Sequence, residues 1–217
     1  MWEKERKIVL EASQRMAEKS FVVGTAGNVS MRLDTKDDKP LIAISPSTRY
    51  YETMTVDDII IVDFDGQKVE GTLDMSIETS LHIAVFKARK KINAVIHFHP
   101  EFASVLSVMG QNIPTILDDQ VQYLGGEIHM AEYALSGSKE LVDNVMKALG
   151  PRNAALLANH GALALGRDMR EAFTNCKMLE KTAKIYIYAL CAGKVNLLPK
   201  DAMEAIQLYY DYHFGEN

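Results

Sequence analysis

In Ile96-His97-Phe98-His99-Pro100 two histidines stand two residues apart. Alternate side chains of an extended segment share a face, so His97 and His99 point together while Phe98 points the other way, into a core. Two converging imidazoles make half of a divalent-cation site. Zinc takes imidazole nitrogen at about 2.0–2.1 Å, and three protein ligands with one open position is its catalytic pattern. His160, in Ala158-Asn159-His160-Gly161, offers the third ligand from another expected strand end, where Gly161 lets the backbone approach closely. Glu78 lies near the start of an expected helix, in Ser76-Ile77-Glu78-Thr79-Ser80-Leu81-His82. A helix N-terminus favours a carboxylate. Beside a metal that carboxylate would serve as general base toward a C–H or O–H acidified by coordination. His82, one helical turn later, reads as a helix-interface residue, and His129 and His213 have weaker local context.

Two loops suit an oxyanion. Gly24-Thr25-Ala26-Gly27-Asn28 supplies small residues, free backbone N–H groups and two polar side chains, and Ser45-Pro46-Ser47-Thr48 supplies hydroxyls at a strand end. Neither is a nucleotide signature: GxxxxGKS/T is absent, and no GxGxxG stands between a strand and a helix. Beside a metal pattern, the two loops imply a small phosphorylated substrate. The 217 residues carry 24 Lys and Arg against 29 Asp and Glu, a net charge of −5 spread along the chain. That balance argues against nucleic acid, and any anion must be held by local donors because the overall field repels it.

These residues must be positioned by a fold that the periodicity outlines. At 47% hydrophobic, the chain can build one substantial core. Ile8, Ala12, Met16 and Ala17 mark a first helix ending before Gly24. Strands are expected at 29–33, 41–44, 59–63, 67–70, 93–97, 113–117, 128–131, 154–158 and 162–165, with residues 34–40 as a hairpin connection and Asp65-Gly66 as a tight turn. Helices are expected at 76–91 with Ser76 as cap, from Pro100 to about 109, and at 138–149, 170–192 and 201–212. No repeat or linker interrupts this order, so residues 1–217 read as one α/β domain with a largely antiparallel sheet. Cys176 and Cys191 alone cannot staple such a chain, which points to a reducing cytoplasm. The charged N-terminus reads as a mature helix rather than a signal peptide, and no apolar run reaches the roughly 18–20 residues of a membrane span.

Taken in order, GTAGNVSMR at 24–32, ISPST at 44–48, Glu78 with His82, HFHP at 97–100, IPTI at 113–116 and LLANHGALALG at 156–166 resemble the class II aldolase and adducin-head family. The resemblance covers nearly the whole chain and is strongest to the family's L-fuculose-1-phosphate aldolase and L-ribulose-5-phosphate 4-epimerase members. It implies a three-layer α/β/α sandwich on a mainly antiparallel sheet, and a cyclic homotetramer with active sites between subunits. It matches His97, His99 and His160 to the zinc ligands, and Glu78 to the acid–base carboxylate. Thr25, Gly27, Asn28, Ser47, Thr48 and Ser76 match the phosphate pocket; a second serine expected after Ser76 is Ile77 here, which removes one hydroxyl. For the second acid, Asp118, Asp119 or Tyr123 falls in the matching region, with Asp119 preferred. Among Tyr209, Tyr210 and Tyr212, Tyr212 is the closest match to a tyrosine supplied by a neighbouring subunit. The implied activity is zinc-dependent cleavage of a ketose 1-phosphate to dihydroxyacetone phosphate and an aldehyde through an enediolate. A sugar-phosphate 4-epimerase or a methylthioribulose-1-phosphate-type dehydratase would share the metal site, and an adducin-like assembly module would lack it.

Overall fold

A computed structural model describes residues 1–35 and 39–215. Its strands are β1 (Asn28–Leu33), β2 (Leu41–Ile44), β3 (Ile60–Asp63), β4 (Lys68–Glu70), β5 (Ala94–Phe98), β6 (Met130–Ala131), β7 (Ala154–Leu157) and β8 (Gly161–Gly166). The helices are α1 (Glu3–Glu18), α2 (Thr79–Ala88), α3 (Glu101–Met109), α4 (Asp118–Leu124), α5 (Lys139–Leu149), α6 (Met169–Cys191) and α7 (Lys200–Phe214). The strands form one eight-stranded sheet in the order β4-β3-β2-β1-β5-β8-β7-β6. Among the described residues only β6 and β7 pair in parallel, and α5 makes the crossover such a pair requires.

Helices cover both faces, so the strands are nearly continuous apolar runs although the sheet is antiparallel. Val29, Ala43, Ile61, Ile96 and Ala164 face a core shared with Val9 and Met16 of α1, Leu106 of α3 and Phe173 of α6. Their neighbours Ile42, Ile60, Val95 and Leu163 face Leu81 and Val85 of α2 and Val145 of α5. This is the three-layer α/β/α sandwich that the resemblance implies. Small residues set the spacing on one side: a Cβ on Gly166 would lie 2.2 Å from the Ala172 nitrogen, so α6 packs directly on the end of β8.

Most expected elements are found within a few residues of their bounds. The strand expected at 113–117 is not formed; only an isolated bridge joins Ile113 to Ile128. Pro114 has no N–H for a ladder, and the Gln120 side chain takes the ladder's place. Its amide donates to the carbonyls of Pro114 at 3.1 Å and Gly126 at 2.9 Å, and accepts from the Ile116 N–H at 3.0 Å. Gln120 itself sits on α4, a seven-residue helix too short for periodicity to reveal. Helix α2 is also shorter than expected: Glu78 is its N-cap, and the chain leaves the helix at Arg89. Ser76 is therefore not the cap; its hydroxyl accepts the Glu78 N–H at 3.3 Å instead. Residues 36–38 of the expected hairpin connection lie outside the described residues.

Candidate active site

Three central strands bring their polar ends to one edge of the sheet. Asn28 opens β1 opposite His97 on β5, and Phe98 pairs with Ala162 on β8. Phe98 is fully buried in the core, while His97 and His99 turn toward the edge as the spacing requires. His160 occupies the hairpin between β7 and β8, preceded by Asn159 in the left-handed region at φ 54°. Gly161 makes the approach possible: a Cβ there would stand 2.6 Å from both the His99 ring and the Phe98 carbonyl oxygen. The Nε2 atoms of His97 and His160 are 3.2 Å apart, and those of His97 and His99 are 3.0 Å apart.

Glu78 faces this cluster. One carboxylate oxygen, Oε2, is 3.2 Å from His97 Nε2, and the other, Oε1, is 3.6 Å from His160 Nε2. Asn28 fixes the carboxylate by donating Nδ2–H to Oε2 at 2.9 Å and to Ser76 Oγ at 3.0 Å. Oε1 is buried without a hydrogen-bond donor among the described residues. The His97 Nδ1 lies 3.0 Å from the Ala162 carbonyl, which fixes the proton on Nδ1 and leaves the Nε2 lone pair facing inward. Burial, reinforced by the neighbouring imidazoles, pulls His97 and His99 down to about 3, so both rings are neutral at ordinary pH. Crowded lone pairs beside an orphaned carboxylate oxygen are what a divalent cation satisfies, so the residues present fit a metal. His82 lies where α2 meets β1, with Nδ1 2.6 Å from Ser30 Oγ, and burial pulls it to about 3 as well.

The first of the loops expected to hold an anion reaches this cluster through Gly27 and Asn28, and the second is tied to the segment before Glu78. Gly27, at φ 75°, packs on β5 so tightly that a Cβ would lie 2.7 Å from the His97 carbonyl oxygen. Ser47 donates its N–H to the Asp74 carbonyl at 2.9 Å, which ties the second loop to the segment carrying Ser76. Thr48 holds φ 53°, where a β-branched residue is strained by about 1–3 kcal/mol. Ile77 is exposed beside Glu78, with its backbone against Gly137.

The remaining candidates make no hydrogen bond, ion pair or ring contact with His97, His99 or His160 among the described residues. Asp119 pairs with Lys181 of α6 at 2.9 Å, and Tyr212 is 84% exposed on α7. Tyr210 is a structural pin, buried on Gly125 with its hydroxyl donating to the Pro151 carbonyl at 3.1 Å. Two neighbours of the site carry no motif that would announce them. Ser136 Oγ lies 3.5 Å from His160 Nε2, just before α5. Glu180 of α6 accepts the Phe102 and Ala103 N–H groups at 2.9 and 3.0 Å, fastening the start of α3 just after His99.

The family model for the class II aldolase and adducin N-terminal domain matches residues 7–187. The chain belongs to that family. Its relatives include the 5-deoxy-D-ribulose 1-phosphate aldolase of Bacillus thuringiensis serovar kurstaki, 33% identical over 203 residues that cover 93% of each chain. The L-fuculose phosphate aldolase of Escherichia coli K12 is 31% identical over 84% of this chain and 82% of its own. A solved L-fuculose 1-phosphate aldolase structure superposes with a TM-score of 0.89 at 32% identity, covering 96% of both chains. Aldolase relatives at up to 33% identity over most of its length make the chain an aldolase enzyme of a metal-dependent class, and its histidine cluster can hold a metal. No helix among the described residues is long and apolar enough to cross a membrane.

Proposed function

We propose that the chain is a zinc-dependent aldolase that cleaves a ketose 1-phosphate to dihydroxyacetone phosphate and an aldehyde. The observation that carries this reading is the convergence of three imidazole Nε2 atoms with the Glu78 carboxylate, locked by Asn28. A cation held by His97, His99 and His160 would supply Lewis-acid stabilisation of negative charge on substrate oxygens, and three imidazole ligands suit zinc. Glu78 keeps Oε1 free of protein donors, so it can exchange a proton with the carbon beside the carbonyl. In cleavage the C3–C4 bond breaks, its electron pair stays with the three-carbon phosphate fragment, and Glu78 gives a proton to C3. Glu78 carries that proton at the start of cleavage; the C4 hydroxyl proton leaves to the Asp119 carboxylate, or to a Tyr212 phenolate from a neighbouring copy, as the C4 carbonyl forms, and returns through water to Glu78 to close the cycle.

Thr25, Gly27, Asn28, Ser47, Thr48 and Ser76 are the groups assigned to the phosphate, with Ile77 contributing no hydroxyl. The names of the relatives support a phosphorylated sugar. A homotetramer with shared sites is supported by the exposure of Tyr212, with Leu208 one turn before it on α7, and of Tyr188 two turns after Lys181 on α6, apolar groups that a second copy would cover. We read residues 1–217 as one domain working in the cytoplasm, in keeping with the unpaired Cys176 and Cys191. The decisive experiment is Glu78→Gln: it should keep its metal and lose about 10²–10⁴-fold in turnover. Full activity in that variant would overturn the role of Glu78. Product analysis on a panel of ketose phosphates should yield dihydroxyacetone phosphate and an aldehyde; a C4 epimer or a dehydrated ketone instead would overturn the reaction.

A further inference from the structure

Tyr51 lies in a short 3-10 turn, Tyr51–Thr53, that packs beside α1, and its ring is 2% exposed in the core. A buried phenol needs a partner, and this one reaches the 24–28 loop. Its single O–H proton is shared between the Ala26 and Gly27 carbonyl oxygens, 2.9 and 2.7 Å from the phenol oxygen. In a planar trans peptide the N–H points opposite to the carbonyl. Drawing the Ala26 carbonyl toward Tyr51 therefore turns the Gly27 N–H away, and no acceptor among the described residues takes that N–H. Gly27 can follow because it holds φ 75°, and it sits directly against the His97 carbonyl oxygen. The result is a backbone donor held at the sheet edge beside the histidine cluster.

We propose that Tyr51 is a positioning residue that orients the 24–28 loop so that its free N–H groups meet the substrate phosphate. This rests on the reading of that loop as the phosphate site. Tyr51 touches no substrate; it acts through two carbonyls. Burial, with the Glu78 carboxylate adding, pushes its phenol above the usual range, so the hydroxyl remains a donor throughout the working pH range.

The test compares wild type, Tyr51→Phe and Thr25→Ala for binding of inorganic phosphate by calorimetry and for KM and kcat on a ketose 1-phosphate. Tyr51→Phe should bind phosphate about tenfold more weakly and raise KM about tenfold, with metal content unchanged and kcat within about threefold. If Thr25→Ala weakens phosphate while Tyr51→Phe binds like wild type, the role of Tyr51 is overturned and the loop assignment stands. If neither variant changes phosphate binding, the loop assignment itself fails and the inference falls with it. A fall in kcat and thermal stability with unchanged phosphate affinity would make Tyr51 merely structural. Should Tyr51→Phe not fold, NMR of the wild type decides: the Tyr51 hydroxyl proton should exchange slowly and show cross-peaks to residues 26 and 27. A rapidly exchanging hydroxyl with no such cross-peaks would overturn the geometry.

Discussion

The two halves of the proposed chemistry are built in opposite ways. His97, His99, His160 and Glu78 come from strand ends and a helix N-cap, and their orientation is fixed by Asn28, Ala162 and Gly161 within one chain. Asp119 and Tyr212 come from a seven-residue helix and from the C-terminal helix, where they meet Lys181 and solvent. The first half is preorganised by the core of a single chain. In the proposed reading the second acquires its role when another copy docks. Metal binding and proton exchange next to the carbonyl should therefore survive changes that destroy carbon–carbon cleavage, and the reverse should not hold.

The largest effect should come from the first half. His97→Ala or His160→Ala should reduce bound metal from about one ion per chain to near zero and turnover to background, read by elemental analysis. Retention of a full metal complement would remove the cluster from the chemistry. A smaller loss belongs to the second half: Asp119→Asn and Tyr212→Phe should together cost about 10–100-fold in cleavage while leaving metal content unchanged. If neither changes the rate, the second acid lies elsewhere and the contrast between the halves is wrongly drawn. The smallest effect is on stability. His82, His97 and His99 titrate near 3 when folded against 6.5 as free groups. Between those values the unfolded chain binds protons that the folded chain does not, so metal-free protein loses stability as pH falls from about 6.5 toward 3. A Tm of the metal-free protein that is flat from pH 7 to 5 would contradict the burial of these rings.

What the residues disclosed in advance follows the same division. The His97 and His99 pairing is a period-two pattern, and the glycine after His160 marks a close approach, so both are local signals. That Asn28 would hold Glu78 is not local: the two are joined only because β1 lies beneath the start of α2. Residues 113–117 look like a strand because a β-branched, apolar run is all that pattern can see, whereas Gln120 supplies the hydrogen bonds from outside it. Tyr51 carries no motif, and its reach to Ala26 and Gly27 exists only in three dimensions. Ser76 has the right type for a helix cap, but its partners are Asn28 and the Glu78 N–H, a choice decided by packing.

One measurement bears most directly on the central claim that the histidines and Glu78 form a self-sufficient half-site. Metal-loaded wild type, Glu78→Gln and Tyr212→Phe would each be incubated with dihydroxyacetone phosphate in deuterated water, and exchange at its C3 followed by NMR. Wild type and Tyr212→Phe should exchange at similar rates, and Glu78→Gln should be slower by about 10²–10⁴-fold. Exchange by Glu78→Gln at the wild-type rate would contradict the account.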